Sequence, residues 1–138
     1  MSASWDLQKA VYTALASNVA FMASIGNRLY DEPQTDEIYP YVVIGEGTEV
    51  SDNDLNTRGF EDTIVLRIFT KPGGLGFYTA KTVQALADNV LNVKRLPMDN
   101  YTMSNIMLEI SYTERDDDIR IVNARYRAHC YSNTQIIY

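Results

Sequence analysis

Apolar residues recur at helical spacing in two stretches of the chain and at alternate positions in three others. Leu7, Ala10, Val11, Ala14 and Leu15 sit at i, i+3, i+4, i+7 and i+8, which predicts an amphipathic helix ending near Ala16. Ser4 is placed to cap it, and Asp6 to complement its dipole. Ser17 or Asn18 opens a shorter turn carrying Phe21, Met22 and Ile25, with Gly26 as its left-handed stop. A second long helix is predicted from Phe77 to about Asn92. Its buried stripe is Ala80, Val83, Ala87, Val90 and Leu91, and Lys94, Arg95 and Pro97 end it.

Period-two patterning marks the strands. Tyr41 to Gly45 is short and β-branched. In residues 60–70, Ile64, Leu66 and Ile68 oppose Val65, Arg67 and Phe69. In 101–113, Ile106, Leu108, Ile110 and Tyr112 oppose Asn105, Met107, Glu109 and Ser111. In 119–131, Val122, Ala124, Tyr126, Ala128 and Cys130 oppose Asn123, Arg125, Arg127 and His129. LYDEPQTDEIYP, the polar segment 51–59 and ERDDD read as loops. The order is α(α)ββαββ. Two long helices can cover one face of a four-stranded sheet. The expected fold is therefore α+β, a mostly antiparallel four-stranded sheet with two main helices on one face, in a single domain over 1–138. Leu108, Val122 and Tyr126 should lie beneath the helices. The other face should carry Arg67, Glu109, Arg125, Arg127 and His129 beside Val65, Phe69 and Met107.

With 138 residues, 46% of them hydrophobic, the chain is long enough for one core. A net charge of -6 argues against gripping nucleic acid, which needs Lys and Arg to neutralise phosphates. One cysteine excludes an intrachain disulfide. No apolar run approaches the length of a membrane span, and MSASWDLQ has no basic n-region or apolar h-region, so neither a span nor a signal peptide is expected. Ten tyrosines shift the balance toward an interface, since the ring is apolar and its tip polar.

The segment TKPGGLGFYTAKT has the order of a phosphate-binding loop, with Lys81 and Thr82 in place. Leu75 and Ala80, however, occupy the two glycine positions of that template. The dinucleotide pattern fits Gly74 and Gly76 and fails at Thr79. A strand-to-helix turn is the better reading, with Lys81 facing water. His129 and Cys130 are adjacent on a strand and point to opposite faces, so they cannot share a metal or form a nucleophile–base pair. Asp31, Glu32, Asp36 and Glu37, then Asp52 and Asp54, then Glu114 and Asp116 to Asp118 read as solvated turns. Their spacing lacks the glycine and glutamate of a calcium loop. No catalytic, cofactor-binding or metal-binding residue is assigned.

One arrangement carries a resemblance: Arg28-Leu29-Tyr30, then an acidic, proline-bearing loop, then Tyr39-Pro40-Tyr41-Val42-Val43-Ile44-Gly45-Glu46, then the strand, glycine turn and helix of 62–92. Over nearly its whole length the chain resembles the tail-completion, or tail-terminator, proteins of long-tailed bacteriophages and prophages. The resemblance implies a non-enzymatic virion protein at the tail end, assembled in the host bacterial cytoplasm. It implies a homo-hexameric ring that ends polymerisation of the tail tube protein and meets the head-completion or connector protein, with DNA passing through the lumen without specific binding. Candidate assembly contacts are Asp52, Asp54 and Arg58 on the polar loop, and Arg67, Arg125 and Arg127 on the sheet. Acidic segments such as Asp31–Glu37 or Glu114–Asp118 are suited to meet the arginine face. Two alternatives stay open: a head–tail connector of the same virion, and a small ligand-binding module or enzyme.

Overall fold

The computed structural model describes residues 3–32, 38–45, 47–51, 53, 59–71, 73 and 76–133. Among them the chain forms helices α1 (Ala3–Ala16), α2 (Val19–Ser24) and α3 (Tyr78–Leu91). It forms strands β1 (Leu29–Tyr30), β2 (Tyr41–Gly45), β3 (Glu49–Ser51), β4 (Gly59–Thr70), β5 (Tyr101–Asp116) and β6 (Ile119–Ser132). The sheet has six strands rather than the four expected. Its path is β1-β2-β4-β6-β5, with β3 added on β4. The two extra strands are too short to show a period of two. β1 pairs parallel to β2, and the other pairings are antiparallel.

The helix face of the sheet follows the alternation. Ile64, Leu66 and Ile68 on β4, and Val122, Ala124, Tyr126, Ala128 and Cys130 on β6, are all buried. Leu7, Val11 and Leu15 of α1, and Ala80, Val83, Ala87 and Leu91 of α3, close over them. Alanines at 124 and 128 leave room on either side of Tyr126, whose hydroxyl donates to Asp88 Oδ1 on α3. A buried phenol needs such a partner, and burial raises its pKa well above the usual range. Asn18 caps α2, its Oδ1 accepting the Phe21 N–H at 2.9 Å, and Gly26 (φ 59) turns the chain out as expected. Ser4 is not the cap of α1. It lies inside the helix, and its N–H donates to Glu49 at 3.0 Å. Gly47 touches the Thr63 carbonyl so closely that a Cβ there would fall 1.8 Å from the oxygen, which keeps a side chain out of the β2–β3 connection.

β5 departs from the sequence reading. Its register against β6 slips between Met103 and Asn105, and again between Leu108 and Ile110. Each slip inserts one residue and turns the following side chains to the other face. Ile106 pairs with Ala128 and is buried. Leu108, opposite Tyr126, is only half-buried. Ile110 pairs with Arg125 and Tyr112 with Asn123, so both stand on the open face rather than beneath the helices. The strand also runs on to Asp116, leaving Asp117 (φ 56) and Asp118 as a two-residue turn in place of the longer ERDDD loop.

Ile106→Ala should therefore lower stability by about 2–5 kcal/mol, and Leu108→Ala by clearly less. Urea midpoints of the two variants check this; equal losses would mean that Leu108 is packed as deeply as Ile106 in solution.

Candidate functional site

Three of the residues singled out as assembly contacts meet on the open face of the sheet. Arg67 on β4, and Arg125 and Arg127 on β6, stand on adjacent strands because Thr63 pairs with Arg127 and Val65 with Arg125. None projects a bare charge. Arg127 donates to Glu61 at 2.6 Å and to Glu109 at 2.5 Å, and Arg125 donates to Glu109 at 2.8 Å. Arg67 donates to Asn123 at 2.9 Å, Asn123 donates to Glu114 at 2.6 Å, and Arg67 lies 3.8 Å from Glu114. The hydrogen bond from Arg127 is the main cause that lowers the Glu109 pKa from the usual carboxylate range. The face is thus a ladder of internally neutralised charge, and glutamates of its own strands already occupy the arginines. Asp52, Asp54 and Arg58 lie outside the described residues, as does most of the acidic segment Asp31–Glu37.

Beside the ladder is an aromatic cluster. Tyr41 stacks on Phe69 (4.7 Å between centroids, 10° between planes), with Tyr39 at 5.3 Å and Tyr30 at 6.1 Å from Tyr41. Arg67 lies 5.1 Å over Phe69, and Lys71 5.1 Å over Tyr39. Val43 and Ile121 are buried within this end of the face. Several of the ten tyrosines thus form one cluster.

Two of the three sequence pieces that carried the family resemblance meet here. The Arg28 carbonyl accepts the Val42 N–H at 3.0 Å, joining β1 to β2. The Arg28 side chain reaches back to the carbonyls of Pro40 (2.9 Å) and Tyr39 (3.3 Å), across a cis Tyr39-Pro40 bond. Arg28 therefore acts as a clamp that fixes the edge of the sheet. A planar guanidinium suits this, offering several donors to neighbouring carbonyls at once.

The described glycines of the segment before α3 lie in turns. Gly73 (φ 55) and Gly76 (φ 63) take left-handed conformations before α3. Lys81 is exposed on α3, and the Thr82 hydroxyl donates to the Tyr78 carbonyl one helical turn back at 2.8 Å. His129 and Cys130 point to opposite faces. Cys130 is buried against Met98, and burial pushes its thiol up to about 12. An open groove of about 470 Å³ runs between α1 and Pro97–Asp99. Its charges answer one another, with Lys9 at 2.6 Å from Asp99 and 3.7 Å from Asp6.

Sequence reasoning missed Asp62. It sits on the helix face of β4 opposite Ala128, fully buried, and as an ionised carboxylate it finds no donor among the described residues. Burial, with Glu49 of β3 as a like charge, raises its pKa to about 7. Asp6 of α1 and the Cys130 thiol of β6 share this corner, where the negative charges of Asp62, Asp6 and Glu49 add to burial in raising the thiol. The available signal was one acidic residue at an even-numbered position in line with Ile64, Leu66 and Ile68.

Asp62 makes stability fall as pH rises. Below about pH 4 the carboxyl is neutral in both states. Between about 4 and 7 the unfolded chain ionises while the folded carboxyl keeps its proton, and above 7 the penalty is complete. Asp62→Asn should flatten this fall and stabilise the protein at pH 8 by about 1 kcal/mol or more. Chemical denaturation at pH 5 and pH 8 checks it; a variant less stable than wild type at pH 8 refutes a buried unpaired carboxylate.

None of the curated proteins compared with the chain matches it in sequence. Among solved structures, a chain of the "Virion of native gene transfer agent (GTA) particle" shares the fold, with a TM-score of 0.83 and 23% identity over 93% of this chain and 96% of that one. The family described as "Tail completion protein gp17" matches residues 9–131, which include both the clamp of β1 on β2 and the arginine-bearing face. On that match the chain belongs to the tail completion protein gp17 family.

Proposed function

We propose that the protein is a non-enzymatic structural component of a phage-like virion. In this reading it caps the tail tube as a homo-hexameric ring, ends addition of tube subunits and offers the surface that joins the head. The observation that carries the proposal is the family match over residues 9–131. The fold shared with a chain of a gene transfer agent virion supports it. The open sheet face supports it too, because a mixed polar and aromatic face on a small domain suits contact with other subunits.

The charge arrangement fits a ring through which DNA passes. Arg67, Arg125 and Arg127 each have an acidic neighbour, so this face offers little free positive charge to hold phosphates. A net charge of -6 per subunit opposes self-association at low salt. Free protein is thus a monomer or a weakly associated ring, and the tail end drives closure. Assembly in the host cytoplasm and contact through the 52–58 loop belong to the same proposal.

Tail assembly with and without the protein tests it. Without a terminator, tubes grow to uncontrolled length; without a connector, tails reach normal length and fail to join heads. The second outcome would replace the capping role with the connector role. Arg125→Glu tests the face itself. Glu109 keeps Arg127 as a partner in that variant, so the subunit should stay folded while capping is lost. Thermal melting and tail-length counts check both halves; normal lengths would clear the face of a capping role. Arg127→Glu is a poorer probe, because it sets a third carboxylate beside Glu61 and Glu109.

A further inference from the structure

The outer edge of β5 is closed along one half and open along the other. In the first half, Ile106 exchanges backbone hydrogen bonds with Lys94, with N···O distances of 2.9 and 3.4 Å. The Leu108 N–H donates to Asn92 Oδ1 at 2.8 Å, and Arg95 reaches the Ser104 carbonyl at 3.4 Å. The cap is held in place at some cost, since Val93 takes a left-handed conformation (φ 57) that a β-branched residue rarely adopts. The cap stops at Leu108. From Glu109 to Asp116 every residue is exposed, and no described segment pairs with the outer edge.

This free stretch is only partly protected as an edge strand: its charges are Glu109 at the slip and Glu114, Arg115 and Asp116 at the far end, which leaves Ile110 to Thr113 uncharged. It has no proline, no lysine and no register slip after Ile110. Its open-face side chains include Ile110 (47% exposed) and Tyr112 (51% exposed). Such an edge is a template for another strand.

The same chain carries a matching edge across the sheet. Pairing registers give the height of each residue along the strands. Leu29 is level with Val42, Ile68, Val122 and Thr113; Tyr30 is level with Val43, Arg67, Asn123 and Tyr112. β1 therefore lies at the height of the free half of β5. It also runs antiparallel to β5, because each runs along or against β6 through the pairings just given. Each step across the sheet adds twist, so the neighbour must be turned to align its edge; aligned in this register, its β1 lies antiparallel beside β5, the stronger of the two pairing modes.

We propose that the free half of β5 pairs with β1 of a second copy of this chain, joining subunits head-to-tail into one continuous sheet. In this register Tyr30 faces Tyr112, Arg28 faces Glu114 and Asp31 faces Ser111. An aromatic pair thus falls on the open face, while Arg28 and Glu114 keep the partners they have within each subunit. The two edges differ, so the contact is heterologous and does not stop at a dimer; with a closing rotation between neighbours it makes the ring. The proposal rests on the ring reading above and specifies its interface.

Cysteine cross-linking tests it on the full chain, in millimolar solution and on tail-tube ends. Asp31 and Ser111 are both exposed, and the buried Cys130 stays in place. A mixture of Asp31→Cys and Ser111→Cys proteins under mild oxidation should give a covalent heterodimer, with neither protein dimerising alone. The double variant should give a ladder ending in a closed ring. Ile110→Lys with Tyr112→Lys should remove the cross-link without unfolding the subunit. Dimers of Ser111→Cys alone, an equal cross-link from Ser111→Cys to Val50→Cys on β3, or no cross-link in either setting would each overturn the pairing. Tail lengths are scored separately. Normal lengths with wild type but no cross-link reject the pairing and leave the capping function standing. Uncontrolled lengths with wild type reject the capping function whatever the cross-links show.

Discussion

The ladder between β4 and β6 is the constraint on which the rest of the structure depends. It runs unbroken from Gly59 opposite Tyr131 to Thr70 opposite Arg120. Side chains alternate at every step, so one register decides two surfaces at once. Ile64, Leu66 and Ile68 beside Tyr126, Ala124 and Val122 become the floor on which α1 and α3 rest. The same register brings Arg67, Arg125 and Arg127 together on the reverse. A shift by one residue would bury the arginines and expose the core, a loss far larger than the marginal stability of a small domain. Core and assembly face are therefore two sides of one set of backbone hydrogen bonds.

The outer strands modify what this ladder sets. Two slips in β5 let one strand serve both surfaces in turn. Met103 and Ile106 enter the core, whereas Ile110 and Tyr112 leave it for the open face. On the opposite side, Arg28 fixes β1 and the Tyr39-Pro40 segment against β2 through backbone carbonyls, which places an aromatic cluster at the sheet edge. Asp62 is the exception on the core face. A buried carboxylate without a donor reduces stability, and it sits where β3, β4 and the start of α1 converge. When protonated it can share its proton with Glu49 across the β3–β4 pairing, a contact that ionisation removes.

The fold and the family were largely legible in the amino-acid sequence. Helical spacing from Leu7 to Leu15 and from Ala80 to Leu91, and alternation along β4 and β6, set the elements and their buried sides. Both patterns depend only on the geometry of the local backbone. The Arg28-Leu29-Tyr30 and Tyr39–Gly45 pieces pointed to the family because their order is itself a local record. The out-of-register glycines likewise marked the segment before α3 as a turn.

Tertiary structure alone decided the rest, because it turns on pairings between residues distant in sequence. The slip at Glu109 reverses the faces of Ile110 and Tyr112, yet the residues still alternate in the sequence, and only the partner strand reveals the extra residue. β3 holds three residues, too few for any period, and exists because β4 offers an open edge; β1, with two, was marked only by the family pattern at Arg28-Leu29-Tyr30. The candidate arginines were found from their alternation, but their glutamate partners come from β4 and β5, up to 66 positions away, and no local pattern encodes that neutralisation. A local pattern tells which side of a strand a residue takes. Which neighbour meets it there is fixed only when the sheet closes.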